Sequence, residues 1–212
     1  MHIPDGFINA ATAGTAYAVS AAAVVVASKR ARQRLGERHV PLIGVMAAFI
    51  FAAQMLNFPV AGGTSGHFLG AALAAILLGP WAGVLIMSAV LLVQSLVFQD
   101  GGLLALGANI LNMGVIASFV AYYTFRGVAA LTGESKRGRL AATFVASWLA
   151  VVLASLACAL ELAVSGTSPL RLVVPAMGGV HALIGIGEGI ITTSVVALLA
   201  GVRADLLQLQ KV

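Results

Sequence analysis

The sequence predicts an all-α membrane protein, a bundle of seven transmembrane helices. Apolar residues make up 60% of the 212-residue chain and charged residues only 9%, whereas soluble domains carry about 25% charged residues. The apolar residues form long runs, and the basic residues lie in short clusters between them. Because lipid offers the backbone no hydrogen-bond partners, such runs form helices. We expect a single integral membrane domain over residues 1–212, with no nucleic-acid partner.

The positions of the apolar runs and of the charges predict the topology. An odd number of spans places the termini on opposite sides of the membrane. If the N-terminus is outside, the cytoplasmic segments and one adjoining helix end hold 11 of the 12 basic residues, all but Arg171. The positive-inside rule therefore predicts an extracytoplasmic N-terminus and a cytoplasmic C-terminus. The predicted spans are 7–28, 41–58, 67–79, 81–98, 103–125, 139–164 and 172–200.

The first apolar run lies at the N-terminus, where a signal peptide would lie, and the third is shorter than a membrane span. No Lys or Arg precedes the first run, which ends in SKRAR instead of a small-residue cleavage site, so we expect it to remain as a helix. The third run is short: a helix from His67 to Gly79 rises only about 20 Å, against a hydrocarbon core of about 30 Å. The glycine-rich stretch NFPVAGGTSGHFLG precedes the third helix. We expect it to dip into the membrane and to deliver His67 to a buried site.

The first two residues suggest a metal site. The amine of Met1, the amide nitrogen of His2 and the imidazole of His2 can close two fused chelate rings, which gives three coplanar nitrogens. A deprotonated amide favours square-planar Ni(II) or Cu(II), and also Co(II), over Zn(II), Mg(II) or Ca(II). His67 is the best candidate for the fourth nitrogen. Because His2 is bulky, we expect Met1 to be retained.

Other polar residues in or near the spans have two interpretations. They either form hydrogen bonds between helices or orient the metal ligands from outside. Asp100 lies in an outer turn, and His181 and Glu188 share one face of the last helix. The full set is Ser65, Gln94, Asp100, Asn109, Asn112, His181 and Glu188.

Four segments resemble the CbiM/NikM family, the substrate-binding membrane subunits of energy-coupling-factor transporters for cobalt and nickel. They are MHIPDGF, GGTSGHFLG, QDGGLLALGANILNMG and HALIGIGEGIITTSVV, and they extend over most of the chain. The resemblance implies a core of the substrate-component type with an additional N-terminal helix, in the cytoplasmic membrane of a bacterium or archaeon. It also implies that Met1, His2 and His67 hold Co²⁺ or Ni²⁺ as transported substrate, with no prosthetic group. Pro4-Asp5, in place of Met-Glu, favours nickel weakly.

The resemblance further implies partner subunits. These are a transmembrane coupling subunit, two ATPase subunits and a small auxiliary membrane protein. The sequence contains no phosphate-binding loop of the Gly-x-x-x-x-Gly-Lys-Ser/Thr type, so any ATP hydrolysis is expected on the partners and the chain itself is not expected to be an enzyme.

Two other functions remain open from the residues alone. Gly63-Thr64-Ser65-Gly66 matches the GxSG pattern of intramembrane serine proteases, in which His181 would activate Ser65. Alternatively, Glu188 and His181 would carry protons in a carrier of a small organic solute.

Overall fold

The computed structural model describes residues 1–34, 36, 39–60, 64–133 and 135–203. Within these residues the chain forms seven helices and one two-stranded sheet. The helices are α1 (Ala10–Arg34), α2 (Val40–Gln54), α3 (Ala71–Leu78), α4 (Pro80–Val97), α5 (Leu106–Thr132), α6 (Lys136–Val164) and α7 (Leu170–Val202). The strands β1 (Phe58–Val60) and β2 (Thr64–Gly66) pair antiparallel between α2 and α3.

Five of the seven helices are long and apolar enough to cross a membrane, namely α1, α4, α5, α6 and α7. Large apolar side chains such as Leu131, Leu183 and Val164 are exposed on their outer faces. In a membrane these faces would meet lipid, where an exposed apolar side chain has no cost. The chain is thus a multi-pass helical membrane protein, as its composition predicts.

The short helix α3 lies at the centre of the bundle. Each of its eight residues is buried, and it packs against α4, α5, α6 and α7. A helix of this length rises only about 12 Å. The residues before α3 therefore lie well inside the bundle, and they include His67.

Four predicted spans differ from the observed helices by about four or more residues at one end. The first was expected over 7–28, but α1 covers Ala10–Arg34. The second span was expected to reach residue 58, but α2 ends at Gln54, because the chain extends into β1 and Pro59 cannot continue a helix. The third was expected to begin at His67, but α3 begins at Ala71, after Gly70 with a φ of 81°. His67 therefore precedes the helix and is not part of it. The fifth was expected over 103–125, but α5 covers Leu106–Thr132.

Helix α5 is irregular near its start. Residues Ile110–Ile116 form a π-helix between two α-helical segments. Asn112 lies within this wider stretch and donates a hydrogen bond of 2.6 Å to the Glu161 carboxylate of α6. A π-helical turn moves the side chains that follow it around the helix axis, so it changes which of them point into the bundle.

One end of the bundle brings together the N-terminal segment, the β1–β2 pair, the 98–105 loop and the turn between α6 and α7. Phe7 accepts a hydrogen bond from the Thr167 hydroxyl of that turn. The clusters of basic residues flank helix ends away from this region, at residues 29–34 and 136–139. Arg38 and Lys211 of the predicted cytoplasmic segments, and Gly63 of the GxSG pattern, lie outside the described residues, as does the end of the predicted 1–212 domain.

Candidate metal centre

The nine residues before α1 fold back into the bundle. The Ile3 N–H donates to the Asn109 side-chain oxygen at 2.8 Å, and the Ile3 carbonyl accepts from the Asn109 amide nitrogen at 3.1 Å. The same carbonyl accepts the Gly102 N–H at 2.9 Å. Gly6 makes the bend with a φ of 84°, a conformation that glycine adopts without strain. Met1 and His2 are consequently buried, with 2% and 3% of their surface exposed.

Asp5 attaches this segment to the start of α5. Its carboxylate accepts the backbone N–H groups of Leu103, Leu104 and Ala105 at 2.7 to 3.3 Å. An anion in this position satisfies amide groups at a helix start that would otherwise have no partner. The approach is close: a methyl group built on Gly102 would lie 2.0 Å from the Asp5 Oδ1 atom. Only a glycine at position 102 leaves room for the Asp5 carboxylate.

The segment carrying His67 is held by two buried side chains. Gln54 at the end of α2 donates to the Leu69 carbonyl at 2.6 Å. Glu188 of α7 accepts the Leu69 N–H at 2.7 Å and the Gly70 N–H at 2.8 Å, one on each carboxylate oxygen. His67 itself is 3% exposed, which confirms the predicted burial.

The amino terminus and His67 meet. The Met1 nitrogen lies 3.1 Å from His67 Nε2, and the Met1 amine also donates to the Ser65 carbonyl. The other ring nitrogen of His67, Nδ1, donates to the Phe68 carbonyl at 2.6 Å. That bond places the ring proton on Nδ1, so the lone pair of Nε2 faces the amine.

The His2 imidazole lies beside His67, with ring centroids 4.6 Å apart and planes inclined by 26°. Its Nε2 donates to the Gln94 side-chain oxygen at 3.1 Å, which leaves the lone pair on Nδ1. His2 Nδ1 lies 3.4 Å from the Ser65 hydroxyl and 3.2 Å from the Asp100 carboxylate. A nitrogen lone pair close to a carboxylate makes a favourable position for a cation.

Burial keeps the three candidate donor groups uncharged. It lowers the pKa of the Met1 amine to about 5, against the weaker opposing effects of Cys158 and Asp100. Burial, together with the nearby amine, lowers the pKa of His2 to about 3. The same two causes, in the same order, place the pKa of His67 well below its usual value. Near neutral pH all three groups therefore present lone pairs and no positive charge.

The Met1 amine, the His2 amide, His2 Nδ1 and His67 Nε2 are candidates for a donor set that side chains alone would not supply. Across the described residues, no group of three or more His, Cys, Asp or Glu side chains could hold a metal ion. Two of the candidate donors here, the Met1 amine and the His2 amide, belong to the main chain. Four nitrogens with a deprotonated amide among them suit a late transition metal.

A cavity of about 610 Å³ lies beside the donor set, lined by His2, Ser65, Asp100, Asp5 and Asn57 among others. Asn57 donates to Asp100 at 3.1 Å across this cavity, joining the loop before β1 to the 98–105 loop. The Asp100 carboxylate, 3.2 Å from His2 Nδ1, is well placed to draw a cation toward His2.

The remaining predicted residues divide into two groups. Ser65, Gln94, Asp100 and Asn109 contact Met1, His2 or Ile3 directly, as described above. Asn112, His181 and Glu188 do not: Glu188 supports the His67 segment instead, and His181 Nδ1 contacts the Met177 carbonyl one turn earlier in α7.

Sequence reasoning missed Asp5, Gln54 and Asn57 as supporting residues. It also gave no role to Glu161, which pairs with Asn112. Asp5 gave no usable signal for this role, because the N–H groups that it accepts lie 98 to 100 positions later in the chain. Gln54 and Asn57 gave none either, since their partners lie on segments far along the chain.

The protease alternative gains no support from the geometry. The hydrogen-bond contacts of the Ser65 hydroxyl are with Met1 and His2. His181 Nε2 is buried without a hydrogen-bond partner among the described residues, so Ser65 and His181 do not form a bonded pair. Glu188 has both oxygens committed to backbone N–H groups, which argues against the proton-coupled solute carrier.

Comparison with known proteins identifies the family. The family model described as the cobalt uptake substrate-specific transmembrane region, CbiM, matches residues 2–206. The chain belongs to the CbiM family. Its members are substrate-specific membrane components of cobalt and nickel transport, work with other subunits and lie in the inner membrane of microbes.

Individual CbiM-family relatives span both metals. The putative fused nickel transport protein NikMN of Archaeoglobus fulgidus is 45% identical over 210 residues, which cover 98% of this chain and 68% of the relative. The cobalt transport protein CbiM of Geobacter sulfurreducens is 36% identical over 98% of this chain and 61% of its own length. A crystal structure of a truncated transition metal transporter superimposes with a TM-score of 0.88 at 34% identity, covering 95% of this chain and 99% of that one. The seven-helix fold is confirmed.

Proposed function

We propose that this chain binds Ni(II) or Co(II) through four nitrogens and delivers the ion for uptake. The ligands are the Met1 amine, the His2 amide nitrogen, His2 Nδ1 and His67 Nε2. The observation that carries the proposal is the 3.1 Å separation of the Met1 nitrogen from His67 Nε2. Two nitrogens bound side by side at about 2.0 Å from one ion lie roughly 2.8 Å apart, so the pair needs to move little.

The arrangement fits the chelate that the first two residues can form. Amine, amide and imidazole occupy three corners of a square, and His67 Nε2 takes the corner between the amine and the imidazole. The Gln94 bond holds His2 in the form whose Nδ1 is free, and the Phe68 bond does the same for His67 Nε2. Such outer contacts fix ring orientation and raise ligand basicity. The deprotonated amide also offsets part of the charge of the ion in a buried site.

A metal titration of the purified chain tests this assignment. The chain must carry its native N-terminus, checked by mass spectrometry, with any tag at the C-terminus. His2→Ala and His67→Ala should each abolish tight binding of Ni(II) and Co(II). His39→Ala removes a histidine distant from the site and should bind as the unaltered chain does. Equal affinity in all four proteins would refute the assignment.

We propose further that uptake requires the partners that the family resemblance implies. These are the transmembrane coupling subunit, two ATPase subunits and a small auxiliary membrane protein. The proposal is supported by the family's role as one component among several, and by the lack of a phosphate-binding loop in this sequence. Cells that express the chain alone should bind metal without accumulating it at the rate reached when the partners are co-expressed. ATP-dependent uptake into vesicles containing only this chain would contradict the proposal.

A further inference from the structure

The hydroxyl of Ser65 has an unusual position relative to the candidate ligands. Its Oγ atom lies 3.4 Å from the Met1 nitrogen, 3.4 Å from the His2 amide nitrogen and 3.4 Å from His2 Nδ1. These three nitrogens are the three linked donors of the proposed chelate. The hydroxyl oxygen is therefore equally distant from all three.

This equality fixes the direction in which the oxygen lies. Points equidistant from three atoms form a single line, which passes at right angles through the centre of the circle that the atoms define. An ion bound equally by the three nitrogens lies on the same line. Ser65 Oγ thus occupies the axial direction, above the plane of the nitrogens and not in it. For metal–nitrogen bonds of about 2.0 Å, the oxygen would be about 2.7 Å from the ion.

The backbone around Ser65 keeps the hydroxyl in this place. Ser65 is the middle residue of β2 and pairs with Pro59 of β1. Its carbonyl accepts a hydrogen bond from the Met1 amine, so the backbone and the side chain of the same residue both contact the chelate. In the absence of an ion, the hydroxyl can donate to His2 Nδ1; when that nitrogen binds a metal, the oxygen lone pair is free to face the ion.

We propose that Ser65 supplies a fifth, axial oxygen ligand that favours Co(II) relative to Ni(II). The inference rests on the four-nitrogen site proposed above. A four-nitrogen plane makes Ni(II) low-spin, with its axial orbital filled, so an axial oxygen adds little. Low-spin Co(II) has a single electron in that orbital and accepts an axial donor. A weak axial ligand of this kind adjusts the electronic properties of a metal without setting its basic geometry.

A sulfur atom placed at Ser65 reports directly on the axial position. In Ser65→Cys, the thiol should lose its proton to the metal and give a near-ultraviolet charge-transfer band on addition of Co(II). Ser95→Cys is the matched control, because Ser95 lines the same cavity as the half-buried Ser65 but donates its hydroxyl to the Leu92 carbonyl. The native Cys158 is present in every variant and provides the background. The expected result is a band in Ser65→Cys alone.

Each alternative result has a definite meaning. If Ser65→Cys binds Co(II) with native stoichiometry and shows no band, the axial assignment is overturned and the four-nitrogen site stands. If the unaltered chain binds no metal, or binds it as well after His2→Ala, the four-nitrogen site and the axial proposal both fail.

Ser65→Ala provides a second measurement that does not depend on the cysteine variant. Loss of one weak ligand should lower Co(II) affinity about tenfold while changing Ni(II) affinity by less than about threefold. The Co(II) electron paramagnetic resonance spectrum should also change. An equal loss for both metals with an unchanged spectrum would refute the axial role, since it would indicate a purely structural effect.

Discussion

The amino group of Met1 illustrates how burial would prepare the proposed metal ligand. Free in water, an α-amine is largely protonated at neutral pH and must lose that proton to bind a metal. In this structure Met1 is 2% exposed, and burial lowers the pKa of its amine to about 5. The proton is therefore already gone before an ion arrives. The cost of desolvating the amine has been met by folding, with Ile3, Asp5 and Asn109 as the anchors.

The number of protons released on binding follows from these pKa values. The pKa is about 5 for the Met1 amine and about 3 for the His2 imidazole. Among the proposed ligands, the His2 amide therefore still holds a proton near neutral pH. Binding between about pH 6.5 and 8 should release about one proton, so affinity should rise about tenfold per pH unit. Below about pH 5 the amine gains a proton and affinity should fall more steeply. Calorimetry in buffers of different ionisation enthalpy measures the number of protons released. Release of two protons at pH 7 would show that the Met1 amine is still protonated in the metal-free protein.

Asn109 is the residue whose loss should affect the chelate most without removing a ligand. It is 2% exposed and holds both the N–H and the carbonyl of Ile3, the residue after the chelate. Asn109→Ala should lower metal affinity by about 10- to 100-fold while the chain still folds. Ser88→Ala is a suitable control, since that hydroxyl bonds only to its own helix. An affinity within about twofold of the unaltered chain, measured by metal competition, would show that Asn109 does not position the terminus.

At the scale of elements, α3 is the part that makes a buried histidine possible. Its eight residues are too few to cross the membrane, so the irregular backbone before it must lie inside the bundle. That backbone has N–H and carbonyl groups that need partners there. Gln54 and Glu188 supply them from α2 and α7, which connects three helices to the position of His67.

Glu188→Gln tests this support. The carboxylate accepts two N–H groups, whereas an amide can accept one and would direct its NH₂ group at the other. One buried N–H would lose its partner, at a cost of about 1 to 3 kcal/mol. The detergent-solubilised protein should melt at a lower temperature and bind metal more weakly. Ser194→Ala, at an exposed position on the same helix, should change neither property; an unaltered melting temperature in Glu188→Gln would contradict the role given to the carboxylate.

The loop between α4 and α5 offers a second test at this scale. Gly102→Ala would push a methyl group into Asp5, which must then leave the backbone N–H groups of residues 103 to 105. Because the same segment carries Met1 and His2, metal affinity should fall by at least about tenfold. Gly14→Ala in α1 meets no atom within 4 Å and should leave binding unchanged, with a gain of up to about 1 kcal/mol in helix stability. Comparable metal affinities for the two variants would show that the Asp5 contacts do not position Met1 and His2.

How well each element can be predicted depends on whether the contacts that determine it are local in the sequence. Long apolar runs predict helices well, because each residue adds to the hydropathy of the run and lipid leaves the backbone few alternatives to helical hydrogen bonding. The end of α2 and the start of α3 differ from the predicted bounds, since the β1–β2 pair and the Gln54–Leu69 bond depend on residues that meet only after folding. The π-helix in α5 is of the same kind: its Asn112–Glu161 contact joins residues that are 49 positions apart.

For the whole molecule, the candidate site lies where several separate segments of the chain come together. Four other segments, namely β2, the end of α4, the 98–105 loop and the start of α5, each contribute a contact to Met1, His2 or Ile3 of the N-terminal segment. His2 and His67 were predictable from the sequence because each lies next to an unusual pattern: the chain start for one, a glycine-rich stretch for the other. That Asp5 and Asn109 hold the chain between them was not predictable, because neither partner is close in sequence. The extracytoplasmic position of this end stays a prediction from the charges.

Moving the amino group without altering any side chain tests the central claim most directly. Two leucines inserted between Met1 and His2 keep every histidine but displace the amine from the corner beside His67, and a bulky second residue again leaves the initiating Met in place. A single inserted residue is unsuitable, because a histidine in third position can form a four-nitrogen chelate with the amine and two amides by itself. Metal competition with Ni(II) and Co(II) should then show that tight binding is lost, as in His67→Ala, while the melting temperature of the metal-free protein changes little. If the extended chain binds both ions with the affinity of the unaltered chain, the Met1 amine is not a ligand and the proposed four-nitrogen site is wrong.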